Sequence, residues 1–537
     1  MLLLTGFVKA QSPAVEWLAK NTRPDGDTYI EKPISLDNNG LLALRGREPM
    51  MAISYTKLFL QSYDNDFKPG IVREIPYRLS TDVSPDNGKT PTMIYMGKFL
   101  EDVYIFSGSS NKDNKTHTLH AQKINAETFD LDNEDITLFD VSLTDKEFHG
   151  PDKNVKVKPT GPGQFEITNT DKDFRGPGKN FHLVRSSDGN NLLALFHCPG
   201  SKDQQRKVII YIYNNHLQLR WKKEVTLNYS SEQLFFNACS IDNNGNVAIS
   251  EMLYKGKPTE TGARKINYDY ILFYIPHDGD LIETKLSIPG ISLARLEQTF
   301  DNKGNLVCGG FYTSPSMPVF KGIFIIKTEP GKGSMLSSNF KPFSPEYLRT
   351  MLSTDVKDLD LVNPGSLDDY GYNIKELIVL DNGTIKFVAE QKIEVTCRRK
   401  ATVDLFNFRS VENILCASAD NTGKIQWISR IPKKQYAYPG YDSYYLKLLN
   451  GTLYFLYNEA LENIKSNKSE YFSGDRKYIA VATSIDENGK LTTNELWDPG
   501  IDKVMLVPKS CFSSGDQEII IEARKGKNEY FGKISFK

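Results

Sequence analysis

Residues 420–435 read Asp-Asn-Thr-Gly-Lys-Ile-Gln-Trp-Ile-Ser-Arg-Ile-Pro-Lys-Lys-Gln, a polar turn closed by glycine and followed by a strand pattern. Asp, Asn and Gly accept the positive φ angles that tight and bulged hairpin turns require. The residues that follow the turn alternate between apolar and polar, which is the two-residue period of a half-buried strand. The stretch therefore predicts one turn-and-strand unit of an antiparallel sheet.

Looser copies of this unit recur along the whole chain. They lie at 37–40, 242–245, 301–304, 381–383, 450–451 and 486–489. Many such turns at a loose period indicate a repeat β architecture. Groups of about four strands can be drawn at 33–80, 90–142, 165–228, 232–290, 292–345, 370–432, 437–498 and 503–537.

The last group contains only three convincing strands, so one strand has to come from elsewhere to complete it. A ring of sheets can borrow that strand from the other end of the chain, and 29–36 is the predicted donor. Ring closure removes the exposed edges that invite aggregation. The prediction is an all-β fold: a single β-propeller of seven or eight four-stranded blades, its seam closed by N- and C-terminal strands, with one short helical insertion.

The remaining chain divides into short segments around this propeller. Residues 1–10 are interpreted as a signal-peptide remnant, 11–28 as a lead-in and 29–537 as the propeller, with insertions at 140–163 and 344–372. The first insertion is predicted to be a long loop. The second is predicted to begin with a helix capped by Ser344 and followed by Pro345.

The N-terminus carries the signal for cellular location. Leu2 to Val8 resembles the end of a signal-peptide apolar region, and Val8-Lys9-Ala10 fits a cleavage site. A short buried strand is the alternative interpretation. No later stretch reaches the ~18 apolar residues of a membrane helix. Export to the periplasm, the cell surface or the medium is therefore expected.

Charge and cysteine content exclude some classes of protein. Sixty-six Lys and Arg residues against 67 Asp and Glu residues leave a formal charge of −1, so no basic nucleic-acid-binding face is expected. The six cysteines never form Cys-x-x-Cys, which disfavours a metal ribbon. Buried free thiols and a Cys397–Cys416 disulfide stay open as alternatives.

Two resemblances add to this interpretation. The Thr422-Gly423-Lys424 sequence with Trp427 after it resembles, weakly and locally, the repeat of quinoprotein propellers, where such a tryptophan docks between blades. Residues 370–465 are similar to a segment of uncharacterised secreted or envelope propeller-like proteins of Bacteroidetes-type bacteria. Matching stretches lie at 377–383, 388–391, 423–428, 431–435, 444–445 and 453–458. That resemblance implies an envelope or secreted location and no particular activity.

Within the same region six residues are candidate binding residues. Glu390 and Gln391 end a strand where a charged side chain can face a central channel or pair with Arg398 or Arg399. The others are Trp427, Lys433, Lys434 and Gln435, of which the last three follow Pro432 and present donors at a rim.

No catalytic residue, metal ligand or cofactor is predicted. His117 and His120 would face opposite sides of a strand. The acidic run 130–135 could hold Ca²⁺ only weakly, because it lacks the glycine and the spaced glutamate of a calcium loop.

The sequence favours a non-enzymatic binding or scaffold module for an envelope protein, a peptide or a glycan. The alternative is a carbohydrate-active enzyme, hydrolase or lyase, with its site at the central channel mouth. A third hypothesis is a subunit of an outer-membrane assembly. Long loops on a rigid scaffold usually carry the binding residues, and nothing in the residues decides among these hypotheses.

Overall fold

A computed structural model shows a ring of eight antiparallel sheets. It describes residues 15–22, 28–36, 40–47, 57–79, 92–100, 102–111, 114–142, 155–161, 164–169, 181–198, 204–256, 266–314, 317–345, 347, 359–361, 371–399, 405–436, 440–466, 478–497 and 504–536. The sheets are the blades of a β-propeller, and the all-β prediction is confirmed. The count is eight.

The first four blades follow one another along the chain. Blade 1 is β2 (Thr28–Ser35), β3 (Leu41–Arg47), β4 (Lys57–Tyr63) and β5 (Pro69–Ile75). Blade 2 is β6 (Arg78–Leu79), β7 (Thr92–Phe99), β8 (Asp102–Asn111), β9 (Thr116–Ile124) and β10 (Leu131–Ser142). After a hairpin of β11 (Val155–Gly161) and β12 (Gln164–Asn169), blade 3 is β13 (Phe181–Arg185), β14 (Asn191–Cys198), β15 (Gln205–Asn214) and β16 (Leu219–Ser230). Blade 4 is β17 (Leu234–Ile241), β18 (Val247–Tyr254), β19 (Tyr268–Ile275) and β20 (Ile282–Leu286).

The remaining blades complete the ring. Blade 5 is β21 (Ser292–Phe300), β22 (Leu306–Ser314), β23 (Met317–Glu329) and β24 (Ser334–Pro342). Blade 6 is β25 (Leu359–Leu361), β26 (Tyr372–Val379), β27 (Ile385–Arg399), β28 (Leu405–Ala419), β29 (Ile425–Ile431) and β30 (Gln435–Tyr436). Blade 7 is β31 (Tyr445–Leu449), β32 (Thr452–Ala460), the short helix α1 (Leu461–Ser466), β33 (Tyr478–Ile485) and β34 (Leu491–Trp497). Blade 8 is β1 (Val15–Thr22), β35 (Met505–Leu506), β36 (Phe512–Ser513), β37 (Glu518–Lys525) and β38 (Asn528–Ser535).

The hydrophobic core lies between the blades. Each of the eight boundaries between neighbouring blades holds its own cluster of buried apolar side chains, including the boundary between blade 8 and blade 1. Central strands are consequently buried on both faces, as at 270–273 and 323–326. The four-stranded sheets therefore stack around a ring rather than fold over a single central core.

The ring is closed by a different N-terminal strand from the predicted one. β1 pairs antiparallel with β38, from Val15 opposite Ile534 to Thr22 opposite Asn528. The predicted donor 29–36 instead falls on β2, which forms the first hairpin of blade 1 with β3. A hairpin across a few residues costs little loop-closure entropy, so β2 takes its local partner. The segment interpreted as a lead-in thus supplies the closing strand.

The predicted turns have the expected backbone. Gly423 has a φ of 86°, and its amide donates to the Asp420 carbonyl across 2.9 Å. The Asp420 carboxylate accepts from the amides of Thr422 and Lys424 at 2.9 and 3.1 Å. The other glycines that close the predicted turns also have φ between 77 and 88°: Gly40, Gly245, Gly304, Gly383, Gly451 and Gly489.

The two predicted insertions differ from expectation. The range 140–163 is more than a loop, because it contains the end of β10 and all of β11, where Val-Lys-Val-Lys alternates. Most of 344–372 lies outside the described residues. At its start the Tyr347 amide donates to Ser344 Oγ across 3.2 Å, which confirms the predicted cap. Pro345 and Tyr347 are helical, and a further short helix, α1, lies between β32 and β33 of blade 7.

The topology defines two faces of the ring. In blades 3 to 6 the first long strands, β13, β17, β21 and β26, are neighbours of one another in turn, so these strands line the inside. The turn face carries the turns from first to second strands. The loop face is the opposite side, where second strands end and the chain passes to the next blade.

Candidate functional site

The loop face between blades 6 and 7 gathers four of the six predicted binding residues. The chain crosses there from blade 6 to blade 7 through residues 432–444, termed linker 6–7, of which 437–439 lie outside the described part. Lys433 occupies its start, with a side chain that is 0% exposed. Its ammonium group lies 3.0 Å from Glu390 Oε1, 2.8 Å from Gln435 Oε1 and 3.2 Å from the Val411 carbonyl oxygen. The Lys433 ammonium therefore makes two hydrogen bonds, to Gln435 and Val411, and one ion pair, with Glu390.

Gln435 connects both ends of linker 6–7 to blade 7. Its Oε1 also accepts from the Ser443 amide at 2.8 Å, and its Nε2 donates to the Asn458 carbonyl at 2.5 Å. Asn458 in turn donates to the carbonyls of Tyr441 and Leu506 at 2.9 and 2.8 Å. One buried amide side chain therefore fixes the linker's entry, its exit and the adjacent strand.

Glu390 supplies the counter-charge for Lys433. Its other oxygen accepts from Ser443 Oγ at 2.8 Å and lies 3.4 Å from Lys375 Nζ. The structure therefore gives the Glu390 carboxylate two lysine partners. The Arg398 and Arg399 side chains, the partners weighed from the sequence, lie outside the described part. Removing either member of a buried pair leaves an uncompensated charge, so Glu390 and Lys433 hold the linker together.

A second carboxylate, Glu459, lies on the same boundary and was missed by sequence reasoning. Its Oε1 accepts from the Ala460 amide and Asn463 Nδ2, both at 2.8 Å, and its Oε2 accepts from the Lys434 amide at 3.3 Å. Burial raises the pKa of Glu459 to about 7 despite these donors and the nearby Lys433. The available sequence signal was Asn458-Glu459, a polar pair closing an otherwise apolar strand, as Glu390-Gln391 does in blade 6.

Gln391 lies apart from the linker, whereas Lys434 belongs to it. Gln391 is buried on the opposite face of β27 and accepts from Asn413 Nδ2 at 2.7 Å. The Lys434 side chain is half-buried on the linker.

Trp427 lies on the outer strand β29, toward the turn face. Its Nε1 donates to the Glu487 carbonyl at 2.6 Å, and its ring covers Gly489, where an added Cβ would approach the ring to 2.8 Å. Trp427 thus packs blade 6 against blade 7 on the side away from the linker.

A third polar group lies between blades 3 and 4 and was also missed by the sequence. It is termed the blade 3–4 cluster and consists of His182 of β13, His197 of β14, Arg206 of β15, Phe236 of β17 and Glu251 of β18. His182 and Phe236 are half-buried, lie on first strands and stack with ring centroids 4.1 Å apart. His197 packs edge-on against both, at 5.5 Å from His182 and 4.4 Å from Phe236. Glu251 is fully buried behind them.

Histidine and cysteine chemistry is limited in the described part of the chain. His117 is buried, and burial lowers its pKa to about 4, whereas His120 lies 2.9 Å from Asp135 on the other side of β9. No group of three or more His, Cys, Asp or Glu side chains is placed to hold a metal ion among those residues. Cys416 is a buried free thiol, as are Cys198, Cys308 and Cys511. The free-thiol alternative therefore applies to Cys416, and the Cys397 side chain lies outside the described part.

Comparisons with known proteins identify neither a family nor a function for this chain. No protein-family profile and no curated protein matches the chain. Among solved structures, the polysaccharide lyase Uly1 is 8% identical with a TM-score of 0.36, covering 97% of this chain and 100% of that one. The WD40 domain of SCAP from fission yeast is 9% identical with a TM-score of 0.34, covering 98% and 97%. A chimera of ACO and RPE65 is 7% identical with a TM-score of 0.38, covering 89% and 93%. Likenesses this low carry no information about ligand or activity.

Among the described residues, no helix has the length and the apolar character that crossing a membrane requires.

Proposed function

We propose that the protein is a non-enzymatic binding module of the cell envelope whose loop face, at linker 6–7, binds an envelope protein. The observation that carries this proposal is the buried Lys433 ammonium beneath the linker, which has two hydrogen bonds and a carboxylate counter-ion. Because Lys433 and Glu390 are buried and neutralise each other, they position backbone and do not meet a ligand. A linker fixed in one conformation loses little entropy on binding, which is the advantage of preorganisation.

The linker offers an anchor for a partner. Tyr436, directly after the buried Gln435, is 39% exposed, and its backbone pairs with Ser410 of β28. Tyrosine gives a large contact area at low entropic cost and is enriched at binding hot spots. The half-buried Lys434 precedes this pair of residues. Together these side chains make the linker a protein-binding surface, and the buried side chains of Glu390, Lys433 and Gln435 support it.

The experiment is affinity capture from the native host followed by mass spectrometry, with two matched variants. Tyr436→Ala truncates the exposed side chain on the linker. Leu336→Ala truncates a 51%-exposed side chain at the start of β24, on the turn face. We expect Tyr436→Ala to lose the captured envelope protein and Leu336→Ala to retain it. Equal capture by both variants, or capture of no envelope protein by the wild type, would exclude the linker as the binding surface.

The carbohydrate-active enzyme is the second candidate, and one observation favours it. His197 Nδ1 lies 3.8 Å from Glu251 Oε1, and a histidine beside a buried carboxylate is an arrangement found at acid–base sites. A panel of glycans, assayed for new reducing ends and for unsaturated products, tests this candidate. Turnover that Glu251→Gln abolishes would support an enzyme.

A further inference from the structure

The blade 3–4 cluster contains a buried carboxylate without a hydrogen bond. Neither oxygen of Glu251 has a hydrogen-bond partner within the described residues, and its side chain is 0% exposed. The nearest cationic groups are His197 Nδ1 at 3.8 Å and Arg206 Nε at 4.0 Å. Both distances exceed the ~3.2 Å limit of a direct hydrogen bond. An oxygen atom of a ligand, about 2.8 Å from Glu251 Oε1 and about 2.8 Å from either nitrogen, would bridge the carboxylate and that nitrogen.

The charge of this cluster depends on the proton. Burial raises the pKa of Glu251 to about 7, and the opposing influence of Arg206 is smaller. A guanidinium is a fixed positive charge in proteins. Above neutral pH the Glu251 carboxylate is therefore the counter-ion of Arg206. In mild acid Glu251 is neutral, and no other ion-pair partner of Arg206 lies among the described side chains.

The elements around Glu251 present no second carboxylate in the described part. β13, β14 and β15 contribute His182, His197 and Arg206, β17 contributes Phe236, and β19 places Ile271 opposite Glu251. Once Glu251 is protonated, the described side chains around Arg206 include no other carboxylate within ion-pair distance. A buried cation is costly unless it is paired.

We propose that the blade 3–4 cluster is a proton-coupled binding site for an anionic oxygen group, a carboxylate or a sulfate. Protonation of Glu251 removes the built-in counter-ion, and Arg206 with His197 then donates to the oxygens of the incoming anion. At higher pH the ionised Glu251 repels that anion. The stacked His182 and Phe236 rings, which lie on the inner strands, offer the flat surface on which an attached sugar ring would rest. This proposal is independent of linker 6–7.

Sulfate is the probe for the test, with chloride at equal ionic strength as the control. Urea unfolding of the wild-type protein is measured at pH 5.5 and pH 8.0. We expect the unfolding equilibrium constant at pH 5.5 to fall by the factor 1 + [sulfate]/Kd, about 100-fold when sulfate is at 100 times Kd. At pH 8.0 sulfate should give only its general stabilising effect.

Two variants distinguish sulfate binding at the blade 3–4 cluster from the general stabilising effect of sulfate. Arg206→Gln should lose the sulfate effect that is specific to pH 5.5. Glu251→Gln, a neutral isostere, should show it at both pH values, because its charge no longer changes. If Arg206→Gln does not fold, His197→Gln takes its place with the same expected loss. The proposal would be overturned if sulfate stabilised the wild type and the Arg206→Gln or His197→Gln variant equally at pH 5.5. It would also be overturned if sulfate gave Glu251→Gln no specific stabilisation at pH 8.0.

A second arm distinguishes a free inorganic anion from an acidic glycan. Trigalacturonate and neutral maltotriose are titrated calorimetrically at pH 5.5. Tighter binding of trigalacturonate than of sulfate, absent for maltotriose, identifies an acidic glycan as the ligand class. Binding of sulfate alone identifies a free anion.

Discussion

Arg45 and Glu529 form a buried ion pair that joins blade 1 to blade 8, although 484 positions separate them in the chain. Arg45 Nη2 lies 2.5 Å from Glu529 Oε1, and Nη1 lies 3.2 Å from Oε2, a bidentate arrangement. Tyr63 Oη donates to the same carboxylate at 3.2 Å. The side chains of Arg45 and Glu529 are 2% and 1% exposed. The seam is therefore held by a charge pair as well as by β1.

The first prediction concerns this pair. Glu529→Gln should destabilise the protein by about 3–5 kcal/mol, because it removes the counter-charge that lies in direct contact with the buried Arg45 guanidinium. Urea unfolding measures the effect. The matched control is Lys57→Ala, which removes an exposed ion pair with Glu74 in the same blade and should cost less than about 1 kcal/mol. Similar losses of unfolding free energy in the two variants would mean that the buried pair stabilises the seam no more than an exposed ion pair does.

The second prediction concerns the closing strand. A protein lacking residues 1–22 has no β1, so the outer edge of β38 is left unpaired. We expect a lower melting temperature and concentration-dependent aggregation, since an exposed strand edge pairs with other chains. Thermal unfolding and light scattering measure both. Trp17→Ala keeps the strand but removes the ring that packs 5.2 Å from Trp497, and it should lower stability without aggregation. A truncated protein that stays monomeric would show that β1 does not protect the seam.

The third prediction compares two ways in which an alanine at a turn glycine destabilises the protein: backbone strain and a clash of the added Cβ. Gly304→Ala adds a Cβ to a residue with a φ of 78° and meets no atom within 4 Å, so it should cost about 1 kcal/mol of backbone strain. Gly489→Ala adds the same strain at a φ of 82° and also drives a Cβ to within 2.8 Å of the Trp427 ring. Its loss should exceed that of Gly304→Ala by about 1–3 kcal/mol. Equal losses would show that Trp427 can move away freely.

The fourth prediction concerns the pH dependence of stability. Burial raises the folded-state pKa of Glu459 to about 7, above its ordinary value of 4.5. A raised carboxyl pKa means that the folded state holds the proton more tightly than the unfolded state does. The contribution of Glu459 to the free energy of unfolding is therefore complete below about pH 4.5 and is lost as the pH rises through 7. We expect this loss to reach about 3 kcal/mol by pH 8. Unfolding curves between pH 4.5 and 8 measure it.

Glu459→Gln is the matched variant for that profile. Its neutral side chain can accept the Ala460 and Asn463 hydrogen bonds in the same place, so its share of the pH dependence should vanish. Glu251 makes an independent contribution of the same sign, and the double variant with Glu251→Gln should flatten the profile further. A Glu459→Gln profile that parallels the wild type would show that Glu459 is not the titrating group.

Local patterns predicted the hairpins but not their long-range partners. The Asp-to-Gly turns such as 420–423 were readable because a positive φ restricts the residue type at a single position. The two strand segments 15–22 and 29–36 could each have closed the ring. Only the tertiary structure selects β1, since β2 is engaged by the hairpin with β3.

The candidate residues show the same division. Glu390 was identifiable as a charged residue at the end of a strand, and Lys433 and Gln435 as donors after Pro432. The structure buries all three and places the Lys433 ammonium 3.0 Å from Glu390 and 2.8 Å from Gln435. Gln391 follows Glu390 directly but faces the other side of β27, because successive strand residues alternate. His182, His197 and Glu251 escaped notice because no local spacing connects three residues on three strands of two blades.

The sequence by itself determined the all-β character, the approximate limits of the blades and the turns, because backbone conformation and alternating burial act over a few residues. The tertiary structure decided that there are eight blades, which strand closes them and which buried charges meet. Those outcomes depend on contacts between segments far apart in the chain, such as Arg45 with Glu529, and no local pattern encodes them.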